Sequence, residues 1–379
     1  MHEDAYATLL QRATDAAAVA AQHAAWGEVH GRLHEDVVAA LVAAGIPRLF
    51  LPATLGGYEV PPTVCAQVTE ILAAGDASAA WYVMVFNSAK MLAARWPEAM
   101  VENLWGAHPD ALVAASGHTP LLGVPCDGGF LVNGRTRFVS GCLHADYILA
   151  PLQVADQVHT VVIPAAQCQV VGAWDTLGMR ASGSHDVQVT DVKVDAPWVA
   201  PTVSEFNRHY QGPLYRCPSR VVFATYVPVA LSLAEQALGA LTDLAVQKVP
   251  YASGAKLAQR SLAQVHYGRA LAEYRAARGY FFAALEEVWQ RARAGETFDA
   301  RARADLYLAG THAMQASSGV VRQVLDAAGS TAFDKASPLE KIMRDVETLR
   351  HHGFANESRY GSVAQVHWDV ELDYPLLLR

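Results

Sequence analysis

Asp186-Val187-Gln188-Val189-Thr190-Asp191-Val192-Lys193-Val194 alternates between polar residues and valine. Such alternation is typical of a β-strand with one buried face. The same composition, rich in Val, Ile and Thr and interrupted by Gly and Pro, extends from about Leu112 to Ala200 and predicts further strands at 129–135, 149–154 and 160–164. Their spacing predicts a small antiparallel barrel or sandwich. Because no helices alternate with these strands, a Rossmann sheet is disfavoured.

Helical patterns flank this β region on both sides. Before it, apolar residues three and four positions apart predict helices at 34–44, 62–74 and 81–95, with a turn and an N-cap within Gly75–Ser78. After it, four long helices are predicted, at 219–246, 257–294, 300–328 and 338–351. Long helices with extensive apolar faces favour a bundle, and Pro228 is expected to start or kink the first of them.

These patterns divide the chain into three predicted domains. An N-terminal helical domain is expected over 1–112, a middle β-barrel domain over 113–212, and a C-terminal four-helix bundle with a terminal active-site segment over 213–379. The expected fold class is therefore mainly α with a central β domain. Because 52% of the 379 residues are apolar and only 17% are charged, the chain can bury a large core, which excludes a disordered protein.

The net charge and the cysteine content of the sequence limit the expected binding partners and the expected cellular compartment. A formal net charge of −8 repels a phosphate backbone, so nucleic acid is not an expected partner. The longest apolar stretch, 221–246, carries Glu235, Gln236 and Asp243, so we expect a buried core helix there and not a membrane span. Five cysteines without a C-x-x-C pair indicate neither a disulfide framework nor a zinc site, and a reducing, cytoplasmic location is expected.

Several common catalytic motifs are missing from the sequence. It has no G-x-G-x-x-G after a strand, no G-x-x-x-x-G-K-[ST], no G-x-S-x-G and no H-E-x-x-H. The fifteen histidines do not form ligand pairs at helical spacing, and the adjacent His351 and His352 point in different directions on a helix. No metal site is therefore expected.

Four fragments carry a resemblance to a known family. They are GDASAAW at 75–81, RFVSG at 137–141, WDTLGMRASGS at 174–184 and SPLEKIMRD at 337–345. Their order and spacing resemble the acyl-CoA dehydrogenase superfamily along almost the whole chain. The resemblance implies that superfamily's fold and a homotetramer packed through the C-terminal bundle.

One position departs from the dehydrogenase pattern. Dehydrogenases carry a glutamate shortly after the Arg-Asp pair, and it removes the α-proton of an acyl thioester; counted from Arg344-Asp345, that position is Gly353, which cannot accept a proton. The segments RDVETLRHH at 344–352 and SGCLHADY at 140–147 resemble instead the flavin-dependent monooxygenases of this fold, the oxygenase components of two-component aromatic hydroxylases. An acyl-CoA dehydrogenase or oxidase with bound FAD and a base elsewhere, such as Glu235, remains the alternative.

The monooxygenase resemblance implies a reaction and its partners. A separate flavin reductase supplies reduced flavin, either FAD or FMN with FAD preferred, and the oxygenase component combines it with O₂ as a C4a-hydroperoxide. The distal oxygen is then transferred to a small aromatic or heteroaromatic substrate such as a phenol or an indole. Such chemistry needs an apolar site that excludes water and a base that titrates near neutral pH, for which imidazole is suited.

The same resemblance assigns candidate site residues. The catalytic candidates are His352, with His351 as its competitor, His118 and Ser140, whose hydroxyl would hold the flavin N5 proton. The cofactor-binding candidates are Ala115, Ser116, Phe138, Val139, Ser140, Ser182, Gly329 and Ser330. The substrate candidates are Trp81, Met84, Asn87 and His351. Competing interpretations stay open: a helix C-terminal histidine for His352, a plain helix C-cap for Gly329, and core packing for Trp81 and Met84.

Overall fold

The computed structural model describes residues 3–201 and 209–378. The N-terminal helices are α1 (Glu3–His30), α2 (Glu35–Ala43), α3 (Pro62–Gly75), α4 (Ala77–Asn87) and α5 (Glu98–Trp105). Asp76 caps α4, because its carboxylate accepts the backbone N–H of Ala79 at 2.9 Å. The predicted helix at 81–95 is shorter than expected: α4 ends at Asn87, and a 3₁₀ turn follows over Lys90–Arg95.

The middle region forms one eight-stranded sheet within the described chain. Its strands are β1 (Val113–Ala115), β2 (Leu121–Cys126), β3 (Gly129–Val139), β4 (Tyr147–Val154), β5 (Gln157–Pro164), β6 (Gln169–Val171), β7 (His185–Asp195) and β8 (Val199–Pro201). The order is β6-β7-β3-β2-β4-β5-β8, with β1 on β4. The expectation of a purely antiparallel sheet was wrong in part, because β1 and β2 both pair with β4 in parallel.

The alternation in β7 changes phase at Thr190-Asp191. Val187 and Val189 are buried, and the pattern resumes with Val192 and Val194 only after this extra residue. The register against β3 shifts at the same place, and Asp191 has a positive φ of 50°. A β-bulge therefore keeps both halves of the strand facing the sheet core.

The remaining chain is helical, as predicted. It comprises α6 (Pro213–Arg216), α7 (Val227–Gln247), α8 (Ser261–Ala294), α9 (Ala300–Ala328), α10 (Pro338–Leu349) and α11 (Ser358–Trp368). Pro228 lies in the first turn of α7 and starts that helix after a 3₁₀ segment over Ser219–Thr225. The segment 219–247 is long and apolar enough to cross a membrane, but 89% of its most apolar window is buried inside the protein. The expectation of a core helix is therefore met.

Two apolar cores hold the molecule together. One extends from the N-terminal helices into the bundle, with Trp81, Phe86, Phe223 and Tyr226 buried in it. The other lies within the sheet and is rich in Val, Ile and Leu. The predicted division at residues 112 and 212 stays a prediction, and positions 202–208 of the predicted middle domain lie outside the described residues.

Three of the four recognised fragments meet where these parts join. Lys341 on α10 donates to Asp76 at 3.3 Å and to Asp345 at 2.6 Å. Asp345 in turn accepts the backbone N–H of Met179 at 2.6 Å. A Cβ on Gly178 would lie 2.2 Å from the carbonyl oxygen of Arg344, so only glycine allows this approach. The fragments therefore tie α4, the segment before β7 and α10 into one unit.

Candidate active site

His352 lies in the turn after α10, at the centre of three aromatic rings. Its ring centroid is 5.2 Å from that of Trp81, 5.1 Å from that of Tyr226 and 5.1 Å from that of Phe354. We call these three rings the aromatic cage. The turn is fixed from α9, because the side-chain amide of Gln315 donates to the carbonyls on both sides of His352, those of Arg350 and Ala355.

The cage keeps His352 uncharged at neutral pH, so the expectation of a base that titrates near neutral pH is wrong for this residue. Burial, and secondarily the positive charge of Arg220, lower the pKa of His352 from 6.5 to about 4. Its Nδ1 is buried and has no hydrogen-bond partner among the described residues. A neutral imidazole with a free nitrogen can accept a proton from a bound molecule.

Other unpartnered polar atoms surround the cage. Within the described chain, no hydrogen-bond partner is found for the buried hydroxyls of Tyr226 and Tyr307 or for Nε of Arg220. The Arg220 guanidinium lies over the rings of Phe354, at 4.2 Å, and of Tyr307, at 5.6 Å. Each buried polar atom left unpaired costs about 1–3 kcal/mol. Several of them together mark a place that a polar ligand or water completes.

A second group of polar side chains lies at the end of β3. The Ser140 hydroxyl is 2.7 Å from that of Ser184, which is 2.9 Å from that of Ser182. We call these three residues the serine cluster. Next to it, Gly141 has a positive φ of 74°, and a Cβ there would meet Val85 on α4 at 2.9 Å. Trp81 of the cage is on the same helix, so α4 connects the serine cluster to the cage.

Aromatic rings border the serine cluster on its exposed side. Phe138 has a positive φ of 59° and a side chain that is 43% exposed. Its ring makes edge contacts with His118, at 5.1 Å, and with Trp174, at 6.2 Å. His185 fixes this arrangement, since its Nδ1 accepts the backbone N–H of Trp174 at 3.2 Å.

The loop between β1 and β2, which carries His118, is anchored by Ser116. The Ser116 hydroxyl donates to the carbonyl of Arg137 at 2.6 Å and accepts the backbone N–H of His118 at 3.2 Å. His118 itself is exposed, and its Nδ1 is 2.8 Å from the Thr119 hydroxyl. Ala115 ends β1 just before this turn. Ser116 thus positions His118 beside Phe138.

Two predicted site residues offer no side chain to a ligand. Asn87 is fully buried, its amide donates to the carbonyls of Ile46 and Val83, and its carbonyl oxygen accepts the N–H of Phe50. All three of its polar bonds go to the backbone, so the assignment of Asn87 to the substrate is corrected. Val139 is also fully buried, in the sheet core, and can contribute its backbone only.

Other predicted residues lie apart from the cage. Gly329 has a positive φ of 65° and follows α9, and Ser330 is exposed. At about 1.5 Å per helical residue, Gly329 is roughly 21 Å along α9 from Gln315, whose amide holds the turn that carries His352, so one chain does not bring Gly329 and Ser330 to His352. His351 is exposed, and Met84 is partly buried against the large core.

The alternative base Glu235 also lies elsewhere. It is exposed on α7, and its charge acts on Glu70 and Tyr274 and not on His352. An added Cβ at Gly353 would meet no atom within 4 Å. The position of the dehydrogenase glutamate therefore has open space and no carboxylate.

Sequence reasoning missed Arg220, Tyr226, Tyr307 and Trp174. Arg220 had a usable signal, because it is a lone charge at the start of the apolar run Val221–Ala234. Trp174 also had a signal: it lies in the family fragment 174–184, and an aromatic side chain shortly before a glycine is a reasonable candidate for a site residue. Tyr226 and Tyr307 are indistinguishable from core aromatics until the helices are packed.

The surface around the serine cluster fits a reduced flavin. Phe138, 43% exposed, offers an apolar ring on which a flat tricyclic ring can lie. The hydroxyl of Ser140, half-buried two residues further on, can accept a hydrogen bond from a ring N–H. An exposed aromatic ring beside a hydroxyl acceptor fits the edge of a flavin.

Comparisons with known proteins identify the family to which the chain belongs. Residues 224–357 match the family described as "Acyl-CoA dehydrogenase, C-terminal domain". The chain is 31% identical to an indole-3-acetate monooxygenase of Pseudomonas putida, over 88% of this chain and 87% of that protein. It is 25% identical to "Flavin-dependent monooxygenase, oxygenase subunit HsaA" of Mycobacterium tuberculosis, over 86% of each chain.

A solved structure shows the same fold. XiaF from Streptomyces sp., in complex with FADH2 and glycerol, superimposes with a TM-score of 0.92 over 98% of both chains, at 22% identity. The fold, the lost dehydrogenase glutamate and the similarity over most of each relative point to one group. The chain belongs to the two-component flavin-dependent monooxygenases that share the acyl-CoA dehydrogenase fold.

Proposed function

We propose that the aromatic cage and the serine cluster together form the site at which a small aromatic or heteroaromatic compound, such as an indole or a phenol, is oxygenated. The observation that carries this proposal is a neutral His352 with an unpartnered Nδ1 inside a cage of three rings. One oxygen atom of O₂ enters the substrate and the other leaves as water. Reduced flavin, when bound, supplies the two electrons that this balance needs.

The residues of this chain have separate roles in the proposal. His352 accepts a hydrogen bond from the substrate's ring N–H or O–H and takes up that proton as the oxygen atom is transferred, which keeps electron density on the ring. Ser140 accepts the hydrogen bond of the flavin N5–H, and Ser182 and Ser184 orient its hydroxyl. Trp81 and Tyr226 exclude water from the reacting atoms, because both rings are buried.

His118 forms the polar edge of the flavin side in this proposal. Its ring meets Phe138 edge-on at 5.1 Å, and it is exposed where a ligand would cover it. Gly329 and Ser330 are proposed to approach the flavin pyrophosphate of a neighbouring subunit, since they lie far from the cage of their own chain. FAD, which has a pyrophosphate, is therefore proposed over FMN.

Partners and assembly follow from the same proposal. A separate reductase supplies the reduced flavin, and four copies of the chain associate through the bundle. Exposed apolar side chains along α8 and at the C-terminal end support self-association: Leu262, Val265, Tyr280, Phe333 and Trp368. A cytoplasmic location is supported by the five cysteines, all of which are free thiols.

The proposed role of His352 is tested by isotope labelling with neighbouring variants. Wild-type protein, reduced flavin and ¹⁸O₂ are expected to place one labelled oxygen in indole. His352→Ala should lower the yield of labelled product about 100-fold or more, the range of a lost general base. His351→Ala, an exposed neighbour, is the matched control and should retain activity. Full activity in His352→Ala would remove His352 from the mechanism.

A further inference from the structure

Arg220 is a buried cation that the described protein leaves without an anion. It lies in the 3₁₀ segment before α7, and its side chain is 9% exposed. Among residues 3–201 and 209–378, no carboxylate forms an ion pair with its guanidinium, and its Nε has no hydrogen-bond partner. Buried arginines are normally paired, because removing the charge from water costs several kcal/mol.

The surroundings of Arg220 do not supply the missing partner. The guanidinium lies over the rings of Phe354 and Tyr307, at 4.2 and 5.6 Å. These rings attract the cation through their faces, but they leave its buried Nε–H without a partner among the described residues. The half-buried Arg344 differs, because it pairs with Glu28 and Glu340.

Arg220 is also close enough to the cage to act on a molecule bound there. Phe354 is shared, since its ring contacts His352 at 5.1 Å and the guanidinium at 4.2 Å. Tyr226, whose ring is 5.1 Å from that of His352, and Tyr307, whose ring is 5.6 Å from the guanidinium, lie in the same region, and no partner for the Tyr226 hydroxyl is found among the described residues. A planar guanidinium forms two parallel hydrogen bonds to a carboxylate, and tyrosine hydroxyls can donate to its remaining lone pairs.

We propose that Arg220 binds the carboxylate of an aromatic acid whose ring lies in the cage beside His352. This rests on the proposed function and narrows its substrate class to aryl or heteroaryl carboxylic acids with a short side chain, such as an indole-3-alkanoate. Arg220 then sets the preference: it favours the acid over neutral analogues, which bind more weakly because the buried charge stays unpaired without an anion. His352 acts on the ring at the other end of the same molecule.

Binding measured without flavin tests the assignment independently of catalysis. Calorimetric titrations use indole-3-acetate and indole-3-acetamide, which have nearly the same shape but differ in charge. Wild-type protein is expected to prefer the acid, and Arg220→Met should weaken binding of the acid about 10- to 100-fold while leaving the amide unchanged. Arg220→Lys should recover part of the preference. Equal binding of acid and amide by wild-type protein, or an equal loss of both in Arg220→Met, would overturn the proposal.

A stability measurement separates ligand binding from a structural role. Met has a similar length, so Arg220→Met removes a buried unpaired charge without opening a large cavity, and we expect its thermal midpoint to equal or exceed that of the wild type. A fall of many degrees in that midpoint would make Arg220 structural and contradict the assignment. Arg220→Met could weaken binding of the acid while the wild-type protein, supplied with reduced flavin, oxygenates no aromatic compound. That result would support the carboxylate site and contradict the proposed function.

Discussion

At the residue scale, the decisive feature is a histidine that remains neutral because its surroundings are apolar and a cation lies nearby. Burial is the larger cause of the lowered pKa of His352 and Arg220 is the smaller one. The imidazole of His352 and the guanidinium of Arg220 both contact the ring of Phe354. The base and the cation are therefore coupled, and changing one changes the titration of the other.

The coupling gives a prediction for the pH dependence of activity. Because the folded pKa of His352 is about 4, the base is deprotonated throughout the neutral range. Arg220→Met removes the secondary cause of the shift, so the pKa rises and the acid limb of kcat/KM moves to higher pH. The profile is measured with indole, which has no carboxylate and so does not need Arg220 for binding. An unchanged acid limb would show that the two residues do not interact.

The depressed pKa also predicts how acid affects folding. Between about pH 6.5 and pH 4 the unfolded chain protonates this histidine while the folded chain does not, so the free energy of unfolding falls as the pH falls. His352 contributes up to about 3 kcal/mol of that fall. His352→Gln should flatten the dependence of unfolding on pH in this window, measured by denaturant titration at several pH values. His351→Gln, at the exposed neighbour, should leave it unchanged.

At the element scale, α4 and α10 position the site. α4 carries Trp81 on one turn and packs against Gly141 through Val85 on the next. α10 ends where the His352 turn begins, and its Lys341 and Asp345 join α4 to the segment before β7. The geometry of cage and serine cluster therefore depends on a buried network of charges outside the site.

The network predicts that substitutions of two acidic residues lower the free energy of unfolding by different amounts. Asp345→Ala removes one carboxylate from a buried set and leaves Lys341 and the N–H of Met179 short of a partner, so unfolding should become easier by about 3–5 kcal/mol. Glu287→Ala breaks an exposed pair with Arg291 and should cost less than about 1 kcal/mol. Chemical denaturation of both variants makes the comparison. Equal effects would mean that α10 is not held by this network.

Element boundaries were predictable from sequence where local signals are strong. The cap at Asp76, the apolar spacing of α9 and the valine alternation of β7 each appear in the structure. The parallel pairing of β1 and β2 with β4 was missed, because residue patterns do not encode which strands are neighbours. Asn87 was misassigned for a related reason: only packing reveals that backbone groups already use its amide.

At the scale of the whole molecule, one core joins the first and last helical regions, and the cage lies between them. Trp81 comes from the N-terminal helices, Tyr226 from the start of α7 and Phe354 from the chain after α10. Family resemblance identified His352 and Ser140 as candidates. It did not identify Arg220: the sequence shows a lone charge before an apolar run, but only the packed helices show that the described residues leave it without an anion.

The exposed apolar side chains of α8 give a prediction for assembly. Leu262 and Val265 are 68% and 47% exposed on one helix, which is costly for a monomer. We expect a particle of four chains in light scattering, and Leu262→Glu should shift it towards smaller species. A monomer of full activity would contradict both the tetramer and the proposed role of Gly329 across subunits.

The proposed function requires that this chain protect reduced flavin while it reacts with O₂. The most direct measurement is stopped-flow mixing of the protein and reduced FAD, prepared without oxygen, with oxygenated buffer, and the same with FMN. We predict a long-lived absorbance band in the near ultraviolet before oxidised flavin appears, with FAD the better cofactor. Reoxidation at the rate of free flavin, with no intervening band, would contradict the account.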